Sequence, residues 1–297
     1  MVFQAPGEVF LLALGSGVAF GLGPVFSKRG LADAGDWIQN TVVVVGTRVV
    51  LFWAVLLATA RTGALDGVAP ATAGFFALAG AAIGVGRFMF YKGVDDVGST
   101  LANAFVNTRP LFAVLLAILL LGETVTPRMG AGVLLLVVGL VVLSVSKGGD
   151  VTGWQRVDLG LPLLAAMLFA IGNVARRFGF TESAISTLEA VAIGDLVAFL
   201  LVGVVAVVGN SRGLAASRTA YANFLLSGLC SATGIFLLFQ AFSLEGGTVS
   251  IVDPLSATAP LFTTVFAVAL LRDLERVTIG TVLGIAVVVF GVALITL

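Results

Sequence analysis

The sequence has 297 residues, 59% of them hydrophobic and 11% charged, with a mean hydropathy of +1.13 and zero net charge from 16 basic and 16 acidic side chains. So few charged groups cannot cover a water-facing surface, so lipid must do the covering, and the balanced charge offers no basic field for nucleic acid. One cysteine, Cys230, and no histidine exclude an internal disulfide, Cys/His metal sites and histidine-based catalysis.

A spanning helix needs roughly 20 mostly apolar residues. Ten such runs follow one another along the chain, at 9–28, 38–60, 71–92, 97–121, 127–146, 159–179, 186–208, 221–243, 247–271 and 277–296. The first has no basic segment ahead of it of the kind a secretory signal carries, so it is expected to be a retained helix. Arg48 falls near the middle of the second run, Arg87 near the end of the third and Arg109 near the middle of the fourth. Asp195 follows in the seventh and Asp253 in the ninth. Most links are very short, such as 93–96 and 244–246, which forces antiparallel neighbours and a compact bundle; the longest, around 147–158, is too short for an aqueous domain. The fold class expected is all-α and integral to a membrane, with about ten transmembrane helices.

The chain also resembles itself. Residues 19–25 with Lys28 and Gly30 match residues 169–174 with Arg177 and Gly179 at an offset of 149. Pro110-Leu111-Phe112 matches Pro260-Leu261-Phe262 at 150. Glu123-Thr124-Val125-Thr126 matches Glu275-Arg276-Val277-Thr278 at 152, and Gly132 and Gly139 then fall on Gly284 and Gly291. Three matches in one order at nearly one offset point to a duplication. Each copy holds five spans, an odd number, so the second begins on the opposite side from the first. The expected organisation is two inverted five-helix repeats, 1–148 and 149–297, an architecture found largely in secondary transporters with the site near the midplane.

These residues are similar to a known family. The chain resembles the drug/metabolite transporter superfamily in its ten-helix EamA-type branch. The resemblance rests on Phe20-Gly21-Leu22-Gly23-Pro24 with Lys28, on Arg48, and on Pro110 followed by Leu119-Leu120-Leu121-Gly122-Glu123-Thr124-Val125-Thr126. In the second copy it rests on Pro260 and on Leu271 to Thr278. It implies a transporter without naming the cargo, since members move amino acids, metabolites, nucleotide sugars or drugs. Arg109 departs from the small or hydroxylated residue that the family usually places before the fourth-helix proline.

Ionisable groups at mid-membrane are costly and mark functional sites by default. Arg48 and Asp195 sit at nearly equivalent depths in corresponding helices, which suits an intramembrane ion pair that is either structural or part of the site. Asn103 aligns with Asp253, and Asn103 and Asn107 share a helix face. Pro110 and Pro260 each remove a backbone hydrogen bond, usually where a helix lines a cavity. Amides beside a broken helix suit a solute-binding wall, although such amides also simply bridge helices. Arg109, two residues from Asn107, is expected to face away from the amides on a continuous helix. Its planar fork suits a substrate carboxylate or phosphate. Asp253 is the candidate proton-coupling residue, since a carboxylate taken out of water can gain and lose a proton over a cycle; the alternative is an acid permanently paired with Arg109. Phe236, Phe239 and Gln240 align with Arg87, Phe90 and Tyr91, so Tyr91 and Gln240 join the expected substrate-binding set of Asn103, Asn107, Arg109 and Asp253.

Basic residues concentrate on one side, at Lys28, Arg29, Lys92, Lys147, Arg156, Arg212, Arg218, Arg272 and Arg276, against Arg61, Arg128, Arg176 and Arg177 on the other. That count places both termini outside; the family resemblance implies both inside. No phosphate-binding GxxxxGK[ST] motif is present. The expectation is a multi-pass plasma-membrane protein that is not an enzyme, without metal or cofactor, whose partners are membrane lipid and a small-molecule substrate and no nucleic acid. A homodimer is compatible with this bundle. The function expected is secondary transport of a small metabolite such as an amino acid or organic anion, by alternating access, coupled to protons or to exchange. The competing readings are a passive channel or scaffold, and a lipid-processing enzyme, for which the Asp95-Asp96 pair is the only acidic pair.

Overall fold

The computed structural model describes residues 7–33, 36–59, 65, 67–146, 155–208, 217–270 and 278–296. The Leu271 to Val277 part of the second family motif, with Glu275, lies outside the described residues, as do Arg61, Lys147, Arg212, Arg272 and Arg276. The described residues are almost wholly helical. They form α1 (Gly7–Ala32), α2 (Trp37–Ala58), α3 (Pro70–Val106), α4 (Arg109–Leu121), α5 (Pro127–Val145), α6 (Gly160–Thr181), α7 (Thr187–Val208), α8 (Arg218–Ser243), α9 (Val249–Ser256), α10 (Ala259–Leu270) and α11 (Ile279–Thr296). A short 3₁₀ turn, Arg156–Leu159, precedes α6. Nine stretches among the described residues are long and apolar enough to cross a membrane, one of them α9 and α10 taken together, and α4 is a shorter apolar helix.

Local chemistry sets several ends. Asp36 accepts from the Ile38 amide while Gln39 reaches back to the Asp36 amide, starting α2. Thr126 caps α5 through the Met129 amide, with Pro127 at the first helical position. Ser217 caps α8 through the Ala220 amide. The link expected at 93–96 is instead helical, and the chain turns at Gly98, whose φ of 84° is open to glycine and strained for other residues. Gly246, at φ 78°, serves the corresponding turn between α8 and α9.

Both predicted broken helices are broken, and in the same way. The run at 97–121 is interrupted at Asn107-Thr108 and the run at 247–271 at Ala257-Thr258, 150 residues apart. Each break begins three residues before its proline. Thr108 Oγ1 donates to the Phe105 carbonyl at 2.6 Å, and Thr258 Oγ1 donates to the Leu255 carbonyl at 2.6 Å. Each carbonyl also accepts its threonine's own amide, at 3.0 and 3.2 Å, so backbone and side chain of one threonine together close the turn at each break.

Packing follows the duplication. α1 lies on α8 and α3 lies on α6, and these two crossings are images of each other. A Cβ at Gly30 would lie 2.4 Å from the Phe224 ring, and a Cβ at Gly179 would lie 2.6 Å from the Phe76 ring. α5 and α11 cross at four glycines, Gly132 opposite Gly291 and Gly139 opposite Gly284. The first pair becomes the second when the repeats are exchanged, as a two-fold axis between antiparallel helices requires. Large apolar side chains such as Leu11, Val50, Leu57, Leu119, Val207 and Val289 point outward, where hydrocarbon meets them.

A Cβ at Gly139 would fall 2.7 Å from the Val288 amide nitrogen and 2.9 Å from the Gly284 carbonyl oxygen, both backbone atoms. Gly139→Leu should therefore lower stability by about 1–3 kcal/mol through overpacking. Gly130→Ala, where nothing lies within 4 Å, should not. Thermal unfolding of the detergent-purified protein checks both.

Candidate functional site

Two adjoining cavities enter the bundle between the repeats. The outer one, about 700 Å³, has the exposed residues Lys28, Leu31, Asp95 and Ser99 at its mouth, all at the end of the bundle opposite the N-terminus of α1. The inner one, about 310 Å³, reaches both helix breaks, at Asn107 and Ala257. Phe20, Arg87, Phe90, Tyr91 and Asn103 line both and form the neck between them. Asn103 is solvent-exposed although it lies within a spanning segment, so water reaches that depth.

The inner cavity gathers charge. Arg48 and Asp195 pair as the sequence suggested: Arg48 Nε donates to Asp195 Oδ2 at 2.8 Å, and its Nη2 donates to Oδ1. Both residues are buried, and Ser231 Oγ accepts from Arg48 Nη1 at 3.4 Å. The two-pronged arrangement suits a fork–carboxylate pair. On the opposite wall, Arg109 Nε lies 3.1 Å from Asp253 Oδ1 and 3.3 Å from Oδ2. Arg109 Nη2 also donates to the Asp253 carbonyl at 3.4 Å and to Ser256 Oγ at 3.3 Å. Asp253 is fully buried, and its Oδ1 accepts from Asn173 Nδ2 as well.

Two sequence-based placements change. Arg109 was expected to face away from Asn107, but both line the inner cavity. The expectation assumed one continuous helix; the break at 107–108 resets the helical phase, and Arg109 begins a new helix. Gln240 lines neither cavity; its Oε1 accepts from Thr187 Oγ1 at 2.8 Å. The packing equivalence of Gly86 with Gly234, and of Phe76 with Phe224, sets the offset between α3 and α8 at 148, so Tyr91 corresponds to Phe239. A slip of one residue rotates a helix by about 100°, which turns Gln240 onto another face. Tyr91, Asn103 and Asn107 line the inner cavity, and Asn107 Nδ2 also donates to Ser144 Oγ at 3.0 Å.

Sequence reasoning missed Asn173 and Arg176. Arg176 was counted with the loop cations, but it is 4% exposed, inside α6, and lines the inner cavity. Its Nη1 donates to Asn173 Oδ1 at 2.6 Å, and its guanidinium lies 4.7 Å from the centre of the Phe239 ring. The adjacent Arg177 instead donates to the Phe242 and Leu244 carbonyls at 2.6 and 3.1 Å and stabilises the end of α8. The signal available was spacing: Asn173 and Arg176 are three apart on one helix face.

Among the described residues the other end of the bundle is sealed. Val9, Ala13, Phe76, Phe242, Val249 and Val252 are packed with no exposure. Across this floor Glu123, from the first repeat, holds the N-terminus of α9, from the second. Its oxygens accept from the Val249 amide at 2.7 Å, the Ser250 amide at 2.9 Å and Ser250 Oγ at 2.7 Å. A carboxylate against free helix amides is favourably placed.

A family model for EamA-like transporters matches residues 8–145 and again 158–297. The chain belongs to the EamA-like transporter family. It is thus a member of the drug/metabolite transporter superfamily, with two EamA repeats running the length of the chain. A solved crystal structure, titled only as that of a protein, superposes with a TM-score of 0.79 at 18% identity, over 98% of this chain and 96% of its own. That likeness supports the EamA-type fold and says nothing of cargo. No curated protein matches the chain by sequence.

In this EamA-like protein the Arg48–Asp195 pair is the more deeply buried of the two. Arg48→Gln leaves Asp195 without its cation and should lower stability by roughly 3–5 kcal/mol. Adding Asp195→Asn should recover most of that loss. Thermal unfolding in detergent measures both, and an unchanged midpoint in the single variant would show that Arg48 is not needed for packing.

Proposed function

We propose that this chain is a secondary transporter of a small metabolite, working by alternating access with its substrate held between the repeats. The observation that carries the reading is the cavity's shape: open at one end, charged at mid-depth, and sealed at the other by contacts between the two repeats. A channel would need a path past Glu123 and the packed floor. The substrate set is Tyr91, Asn103, Asn107, Arg109 and Asp253, with Asn173 and Arg176 added. An inner cavity of about 310 Å³ is of the size that takes a small solute. The plasma membrane is the proposed location.

Two kinds of coupling fit. Exchange needs only that the bundle close over a filled site. Proton coupling at Asp253 needs Arg109 to leave the carboxylate during the cycle, so that a proton can take the place of the guanidinium.

Purified protein in liposomes should show saturable uptake of its cargo, accelerated by the same solute on the far side. If that uptake responds to a pH gradient and the Asp253→Asn variant's uptake does not, Asp253 is the proton site; a full pH response in Asp253→Asn removes that role. Access can be probed in a Cys230→Ser background with an impermeant thiol reagent. Ser99→Cys, at the mouth, should react, and Val249→Cys, fully buried on the floor, should not. Adding Glu123→Ala should expose Val249→Cys several-fold by loosening the floor; equal reactivity at both positions would argue against a sealed end.

A further inference from the structure

The inner cavity carries more positive than negative charge. Arg48 (α2), Arg87 (α3), Arg109 (α4) and Arg176 (α6) line it. The carboxylates against it are Asp195 (α7) and Asp253 (α9), each taken up by one guanidinium, Arg48 and Arg109 respectively. Four guanidinium groups face two carboxylates, leaving an excess of two positive charges around a space of about 310 Å³. Lys28 and Asp95 balance each other in the outer cavity.

The two surplus cations are held by neutral groups. Arg176 rests on the Asn173 amide and the Phe239 ring, and its Nε has no hydrogen-bond partner among the described residues. Arg87 lies at the neck beside the neutral Tyr91. Among the described residues no carboxylate pairs directly with Arg176 or Arg87, although both line the cavity, so neither guanidinium meets a matching anion. Such a planar fork is matched by a carboxylate or phosphate group. We propose that the cargo is a small organic dianion, a dicarboxylate or a phosphate monoester, bound between Arg176 and Arg87 while Arg48 and Arg109 remain occupied by their own aspartates. This inference rests on the transport reading for its meaning, since it names the class of solute that the transporter would carry.

The cavity lies inside the bundle behind a polar mouth and is too small for an acyl chain, so a free solute is the occupant. Charge supplies selection as well as affinity. A neutral or zwitterionic solute of the same size would leave both surplus cations uncompensated, a form of discrimination by unmet charge. Closure over an empty site would trap the same excess, so a filled site should close more readily.

The experiment is equilibrium binding of radiolabelled succinate and glycerol phosphate to the purified protein in detergent, with alanine and glutamine as zwitterionic controls. At least one dianion should bind saturably, and the controls should not compete. Arg176→Gln and Arg87→Gln should each weaken binding by roughly 10- to 100-fold, the loss expected for a charged hydrogen bond. Arg176→Lys should retain part of the affinity. Arg176→Gln should also unfold at the wild-type temperature or above, since it strands no carboxylate. A lower unfolding temperature with unchanged binding would mark Arg176 as structural and overturn the proposal. Binding of alanine or glutamine in preference to both dianions would overturn it too. Counterflow in liposomes separates the two readings: flux of a zwitterion without dianion binding sinks the dianion alone, whereas dianion binding with no flux of any solute keeps the site and sinks transport.

Discussion

Lipid offers no partner to a backbone amide or carbonyl, so a chain that interrupts its helices within a membrane must supply those partners itself or let water do so. That constraint governs the whole bundle. The interruptions at Asn107-Thr108 and Ala257-Thr258 are tolerated because threonine hydroxyls take up local carbonyls and because both breaks border a cavity. The breaks in turn bring Arg109, at the start of α4, against Asp253, in the last turn of α9. A continuous helix through Asn107 would have turned Arg109 away from the site.

Charge follows from the same constraint. Each buried aspartate has its own arginine, and the bidentate Arg48–Asp195 pair ties α2 to α7, corresponding helices of the two repeats. Such a pair is a poor source of net stability, but losing either half is expensive. It therefore fixes how the repeats meet without needing a ligand. Arg176 is different in kind, because its neighbours are an amide and a ring that hold its position without balancing its charge.

Most of the fold was legible in the sequence because its signals are local or periodic. Apolar run length gave the spans, and the recurring Pro110/Pro260 and Gly132-Gly139/Gly284-Gly291 positions gave the duplication. The Arg48–Asp195 pair was legible because two costly groups at one depth have few other outcomes. What failed was phase. The link was expected at 93–96 and Gly98 inside the fourth span, whereas α3 runs helically through 93–96 and the chain turns at Gly98. Arg109 and Gln240 were misplaced by a break and by a one-residue slip, each of which rotates a side chain by a large angle while leaving its depth unchanged. Arg176 was hidden by its neighbour: adjacent arginines near a helix end read as loop cations, yet on a helix they point about 100° apart, one to the α8 carbonyls and one to the cavity.

The duplication is symmetric in packing and asymmetric in chemistry. Glycine–ring contacts repeat faithfully, Gly30 on Phe224 and Gly179 on Phe76, and so do the two threonine-capped breaks. At the site, however, Asn103 stands where the second copy has Asp253, Arg109 where it has Ala259, and Arg176 corresponds to Ser27. A bundle whose packing is its own image can adopt either of two related arrangements at similar cost, which alternating access requires. Under the proposed alternating access, the cargo would need the opposite property, a single set of charged groups that stays with it through both arrangements. Placing unmatched residues at matched breaks near the axis satisfies both demands. It also explains why the duplication was easiest to read in the glycines and hardest to read at the residues that would touch a substrate.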